Sequence, residues 1–316
     1  MNKINISHLV TESRNLKTMN LDDMSIHEFL TVMNEEDTLV PLRVQEVLPL
    51  IEKAVQMIIH SLQQGGKLFY VGSGTSGRLG ILDAVECPPT FSTTDEINGI
   101  IAGGTSAFVK AKEGAEDHEE DGKKEILAAG ITDKDVVVGI AASGRTPHTI
   151  GALKQANEIG AYTISIACNP NSEIGKVAHL AIDMDLGAEV ITGSTRLKAG
   201  TAQKLVLNML STASMVGIGK TYQNLMVDLK PSNEKLVERS KRIIMEATGC
   251  DYTVAQQAFE ECDRQVKTAI IKILLNCSVE EAQERLEKNQ GFVKKQFKNN
   301  RLFSVCYLFK GGYVYE

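Results

Sequence analysis

Two Ser/Thr-Gly loops stand out as places where this 316-residue chain could do chemistry. The first is Gly72-Ser73-Gly74-Thr75-Ser76-Gly77-Arg78, directly after the apolar run Lys67-Leu68-Phe69-Tyr70-Val71. The second is Ser143-Gly144-Arg145-Thr146, after Val136-Val137-Val138-Gly139-Ile140. A turn of this kind, between a buried strand and a helix, aims backbone N–H groups and hydroxyls at the space above the helix N-terminus. That arrangement suits a phosphate. Two such loops in one sheet point to a sugar phosphate, with Ser73, Thr75, Ser76, Ser143 and Thr146 as candidate ligands and Arg78 and Arg145 as candidate charges.

The first loop also spells Gly-x-Gly-x-x-Gly, the dinucleotide fingerprint. That reading asks for an acidic residue at the end of the next strand to hold a ribose hydroxyl. The strand expected over 97–102 ends instead in Ala102-Gly103-Gly104, so the dinucleotide reading is set aside. Carboxylates are plentiful elsewhere. The run Glu113-Gly114-Ala115-Glu116-Asp117-His118-Glu119-Glu120 reads, on pattern alone, as a solvated helix face. Glu86 falls at the end of the helix expected over 76–86, which Pro88-Pro89 should stop. The negative end of the helix dipole there would favour a protonated acid.

The elements that must position these residues alternate. Strands are expected over 68–71, 97–102, 136–140, 162–167 and 180–184. Helices are expected over 41–62, 76–86, 106–129, from Pro147 onward, and over 198–218. Alternation of this kind predicts an α/β fold, a doubly wound parallel sheet with helices on both faces. Beyond Pro231 the pattern turns purely helical (234–248, 253–275 and 279–289), a small all-helical subdomain. The expected organisation is a helical leader over 1–40, with a short helix at 25–33 broken by Asn34-Glu35-Glu36-Asp37. A sugar-phosphate domain follows over 41–230, the helical subdomain over 231–296, and a tail of unassigned structure over 297–316.

Composition narrows the function classes. A net charge of −6 and the lack of a Lys/Arg stripe argue against nucleic acid. No apolar stretch is long enough to span a bilayer, and Met1-Asn2-Lys3-Ile4-Asn5 carries no signal-peptide core. None of the six cysteines forms a Cys-x-x-Cys or has a histidine at metal-ligand spacing. They are expected as free thiols in a reducing, cytoplasmic setting, with no metal site. Cys87 is expected to pack behind Glu86, and His148, just after Pro147, to face solvent or cap its helix.

Together with Glu189-Val190-Ile191-Thr192-Gly193-Ser194-Thr195-Arg196-Leu197-Lys198, the two loops resemble the sugar isomerase (SIS) domain. Within that superfamily the chain resembles the N-acetylmuramic acid 6-phosphate etherases. The matching stretches include Thr11-Glu12-Ser13-Arg14-Asn15, Ile81-Leu82-Asp83-Ala84-Val85-Glu86-Cys87-Pro88-Pro89-Thr90, Glu113-Gly114-Ala115-Glu116-Asp117, 139–147, 187–210 and Asn224-Leu225-Met226-Val227-Asp228. The resemblance runs from about Leu9 to Phe292.

It implies an SIS-type fold and a carbon–oxygen lyase that cleaves the D-lactyl ether of N-acetylmuramic acid 6-phosphate, giving N-acetylglucosamine 6-phosphate and D-lactate. It implies Glu86 as the acid and Glu116 as the base; the residues alone do not choose between Glu113, Glu116 and Asp117. Glu189 becomes a candidate ring-opening or orienting group, and Lys198 a candidate contact to sugar or phosphate. No cofactor is implied. SIS domains pair, with active sites near the subunit interface, so a homodimer is implied too. Two other readings stay open. A sugar-phosphate isomerase would also enolise at C2 but needs no acid at C3. A sugar-phosphate-sensing regulatory protein, such as the glucokinase regulator, carries two such domains where this chain has one.

Overall fold

The structure, a computed structural model, describes residues 9–231 and 233–297. The expectations for residues 1–8 and 298–316 lie outside the described residues. Two compact units are present. One holds the residues up to Cys87 together with Thr93–Ser214, the other Pro88–Ser92 and the residues from Met215 on.

The first unit opens with α1 (Ile26–Asp37), α2 (Leu39–Glu46) and α3 (Leu48–Gln63). Ser25 starts α1 with a reciprocal capping box to Glu28. The helix then runs through Asn34-Glu35-Glu36-Asp37, where a break was expected, because Glu36 is buried and ion-paired. The single helix expected over 41–62 is two. Pro49 has no N–H to give residue 45 and its ring crowds that carbonyl, so the helix interrupts at Val47 and restarts with proline in its first turn.

Then come β1 (Leu68–Gly72), α4 (Gly74–Phe91), β2 (Ile97–Ile101), α5 (Ser106–Val109), α6 (Glu119–Ala128), β3 (Val136–Ala141), α7 (Pro147–Ile159), β4 (Tyr162–Ala167), α8 (Glu173–Val177), β5 (Leu180–Asp183) and α9 (Lys198–Gly217). The five strands form one parallel sheet in the order β2-β1-β3-β4-β5. Every residue of β1 and β3 is buried, as a strand covered on both faces requires. The chain winds outward from β1 to β2, then returns to β3 and continues the other way. The loops after β1 and β3 therefore leave the same edge side by side, at the switch point where open α/β sheets bind ligands.

Three expectations near these loops need correction. Helix α4 does not stop at Glu86 but continues through Pro88 and Pro89 to Phe91. Proline keeps a helical φ even as it removes a donor, and the chain leaves the helix only at Ser92, at φ 50°. Glu86 is thus not at the helix end, and the dipole argument for it lapses. The helix expected over 106–129 is α5 and α6 with an irregular loop between them, turned at Gly114, whose φ of 76° only glycine adopts freely. His148 is fully buried rather than solvent-facing, with Nε2 2.8 Å from Glu125 Oε2.

That loop is anchored by an unusually close helix contact. A Cβ on Gly122 of α6 would come within 2.0 Å of the His148 carbonyl oxygen, and one on Gly151 of α7 within 2.0 Å of the Glu119 carbonyl oxygen. No side chain fits at either crossing. Gly151→Ala should cost about 1–3 kcal/mol as overpacking forces α6 and α7 apart. Denaturant unfolding checks this, and an unchanged midpoint would refute it.

The second unit carries a two-stranded hairpin, β6 (Thr221–Tyr222) and β7 (Leu225–Met226), and then α10 (Glu234–Thr248), α11 (Tyr252–Glu261), α12 (Val266–Leu275) and α13 (Val279–Lys288). Its core gathers Phe259, Ile244, Ile270, Ile271 and Val293. The helix expected over 253–275 is broken, because Asp263 and Arg264 both take left-handed backbone angles. No helix among the described residues is long and apolar enough to cross a membrane.

Candidate functional site

Ser73 follows the last residue of β1 and is buried, yet its hydroxyl has no hydrogen-bond partner. Such a group costs free energy unless something fills the space before it. It lines a recess of about 180 Å³ with Gly74, Arg78, Lys112, Glu113 and Glu116. The recess is walled by α4 on one side and by the 110–118 loop on the other. Arg78 braces α5, which leads into that loop, rather than facing outward: its Nε donates to the Phe108 carbonyl and its Nη2 to that of Ala107, each at 2.9 Å. Glu116 is exposed at the rim, and its carbonyl accepts from the His148 N–H at 3.0 Å. The carboxylate therefore sits on a loop tied at both ends.

The other hydroxyls of the first loop behave differently. Ser76 is buried and donates to Gln203 Oε1 at 3.1 Å, while Gln203 Nε2 is left without a partner. Thr75 is half-buried and lines no recess with Ser73. The second loop opens on a separate recess of about 190 Å³, lined by Leu9, Ser143, Arg145, Asn169, Asn171, Ser172 and Glu173. Its turn needs Gly144, at φ 72°, where a Cβ would come within 2.4 Å of Ser172 Cβ. Thr146, the N-cap of α7, is half-buried and uses no side-chain cap bond. The sequence reading missed Asn169. It accepts from the Val10 N–H at 2.7 Å and donates to Thr11 Oγ1 and the Ala142 carbonyl, each at 3.1 Å. Its position two residues beyond the expected end of β4 was the available signal.

Glu86 lies elsewhere. It is exposed on α4, twelve residues past Gly74, or about 18 Å along the helix axis at 1.5 Å per residue. Cys87 beside it feels the charge of Glu96, which precedes β2. Helix α4 therefore carries Glu86 well away from Ser73, which precedes its first residue. Within one chain the structure does not bring Glu86 and Glu116 together. Burial, then Asp83, pushes the Cys87 thiol up to about 12, which makes it a packing group and no nucleophile. Asp83 itself ties α4 to its neighbours, accepting from Tyr70 Oη at 2.9 Å, Asn208 Nδ2 at 2.7 Å and Ser211 Oγ at 3.1 Å. Burial raises its carboxyl above the usual range against those three bonds.

Glu189 and Lys198 are both turned inward. Glu189 is buried and caps α9, accepting from the N–H groups of Lys198 at 3.1 Å and Ala199 at 3.0 Å. Burial raises its carboxyl, and those two N–H groups oppose the rise. The Lys198 ammonium, 2% exposed, meets Glu36 Oε2 at 2.6 Å. Lys17 reaches the other oxygen of Glu36 at 3.0 Å, and Asn15 Nδ2 adds a bond at 3.0 Å. Burial works against an ionised Glu36, but Lys198 and Lys17 outweigh it and hold the carboxyl below its ordinary value. Among the described residues no group of three or more metal-ligating side chains occurs.

Comparison with known proteins adds the following. The family described as glucokinase regulatory protein N-terminal SIS domain matches residues 50–157. The N-acetylmuramic acid 6-phosphate etherases of Bacillus mycoides (strain KBAB4) and Bacillus anthracis (strain A0248) are each 60% identical to this chain over 291 residues, covering 92% of it and 99% of each relative. Among solved structures, a phosphoheptose isomerase from Francisella tularensis is similar at 16% identity and a TM-score of 0.46, over 61% of this chain and 100% of that one.

Proposed function

This chain belongs to the N-acetylmuramic acid 6-phosphate etherase family, and from that premise we infer that it is a lyase that releases D-lactate from N-acetylmuramic acid 6-phosphate and leaves N-acetylglucosamine 6-phosphate. The observation that carries this is the 60% identity spread across 92% of the chain.

The chemistry follows from the substrate. An alkyl ether resists hydrolysis near neutral pH because an alkoxide leaves poorly. Ring opening exposes a C1 aldehyde that acidifies the C2 proton. A base removes that proton, an acid protonates the ether oxygen as lactate departs from C3, and water then adds at C3 of the unsaturated aldehyde while C2 regains a proton. One carboxylate and one carboxylic acid suffice. We assign the base to Glu116, beside the unpartnered Ser73 hydroxyl, and the acid to Glu86. Ser73, Thr75, Ser76, Ser143 and Thr146 are assigned to the sugar phosphate; Ser76 must first release Gln203 or present its oxygen as it stands. Glu189 and Lys198 are assigned a positioning role, holding the start of α9 against α1.

The distance along α4 supports one further point. A substrate beside Glu116 cannot reach Glu86 of the same chain, so the acid it meets is Glu86 of the partner subunit in a homodimer. The exposed apolar residues Leu82 and Val85, which precede Glu86 on α4, supply surface for such pairing. A cytoplasmic setting fits the free thiols of Cys87, Cys168, Cys250, Cys262 and Cys277.

The direct test is incubation with N-acetylmuramic acid 6-phosphate in deuterated water. Lactate should appear with an equal amount of N-acetylglucosamine 6-phosphate carrying deuterium at C2. Folded protein that releases no lactate would overturn the reading; lactate without C2 deuterium would overturn the elimination route.

A further inference from the structure

The substrate of this reading carries a second anion besides its phosphate, the carboxylate of the lactyl group, attached next to the carbon that Glu116 deprotonates. That carboxylate must enter a recess whose rim already bears Glu113 and Glu116. Like charges at such range repel unless a cation intervenes. The recess offers two. Arg78 is committed to two carbonyls of α5. Lys112 donates to the Gly103 carbonyl and forms no ion pair among the described residues, whereas Lys17, Lys67, Lys123 and Lys154 all do. An ammonium has three donors, so two remain for a ligand.

The lysine is also held in place. Its stem lies against Gly103, where a Cβ would come within 2.9 Å of Lys112 Cδ. Lys112 stands four residues before Glu116 on the same tied loop, so base and ammonium are presented to neighbouring atoms of one ligand. We propose that Lys112 binds the lactyl carboxylate and is the residue that selects a lactyl ether over a plain sugar phosphate. This rests on the etherase reading and adds the group that recognises the leaving acid.

The contact is made equally before and during the reaction, because the carboxylate stays charged throughout. Its loss should therefore raise KM and spare kcat. A charge-assisted hydrogen bond of this kind corresponds to about 10- to 100-fold in affinity. The test compares wild type, Lys112→Gln and Lys112→Arg on the natural substrate and on its lactyl amide, with C2 deuterium exchange into N-acetylglucosamine 6-phosphate as a probe lacking the lactyl group. Lys112→Gln should raise KM for the acid about 10- to 100-fold, leave the amide and the exchange reaction within about threefold, and be largely rescued by Lys112→Arg. Equal losses on acid and amide, a loss of exchange, or an unchanged KM for the acid would each overturn the assignment. A wild type without lactate release would instead sink the etherase reading itself.

Discussion

With Glu116 replaced by Gln, lactate release and C2 deuterium exchange should fall together, by about 10²- to 10⁴-fold, the usual worth of a positioned general base. Glu86→Gln should lose lactate release on the same scale yet keep measurable C2 exchange, because proton removal at C2 precedes the step that needs the acid. The pair then yields a sharper result. If each site takes its base from one chain and its acid from the other, dimers mixed from the two inactive variants contain one wholly intact site and one doubly altered site. Random assortment makes about half the dimers mixed, so about one quarter of wild-type activity should return on co-expression or on refolding a mixture. If acid and base came from one chain, no mixture would regain activity. The prediction stands on the length of α4, which carries Glu86 about 18 Å from the turn that holds Ser73.

Glu36→Met should be the most damaging single change to stability among the polar core residues. It strips the Lys198 ammonium, 2% exposed, of its carboxylate partner and leaves a cation in a place water does not reach. Breaking such a pair from one side costs about 3–5 kcal/mol, whereas replacing both partners by apolar side chains is often nearly neutral. Lys198→Met should cost less than Glu36→Met, because Lys17 and Asn15 still satisfy Glu36. The double variant Glu36→Met/Lys198→Met should be more stable than Glu36→Met alone. Denaturant unfolding of the three variants checks the order. Equal losses in the single variants, adding up in the double, would show that the pair is not coupled. The sign with pH follows from the lowered carboxyl of Glu36. The pair's contribution is complete above the ordinary carboxylate value of 4.5 and disappears as pH falls through the lower, folded value. Acid should therefore destabilise wild type relative to the double variant, which lacks the titrating carboxyl.

The parallel sheet was legible because β1 and β3 are unbroken apolar runs followed by Ser/Gly turns, a pattern that needs no knowledge of distant residues. Helix ends were less so. The breaks at Val47 and at Asp263-Arg264 come from one proline and from two left-handed residues that are not glycine, and neither leaves a periodic trace. Glu36 was read as part of a polar breaker, since its partner Lys198 lies 162 positions away. The same limit hid Asn169, whose bonds reach Val10 and Thr11. Within the acidic run at 113–120 nothing in the pattern selects Glu116. In the folded chain Glu113 and Glu116 both line the recess of Ser73, and Asp117 does not. The carboxylates were thus visible as chemistry but not as an arrangement, because the arrangement depends on a loop shape set by Gly114 and by the clasp of α6 on α7.

The division of the sheet edge into two small recesses has a bearing on inhibition. At about 180 Å³ and 190 Å³, each falls short of the roughly 300 Å³ at which pockets begin to enclose a drug-sized molecule. A compact competitor confined to either one would leave most of its surface in water and gain little. Potency would come from a scaffold that straddles both mouths, with an acidic group facing Lys112 and a second anion directed at the Ser143 turn.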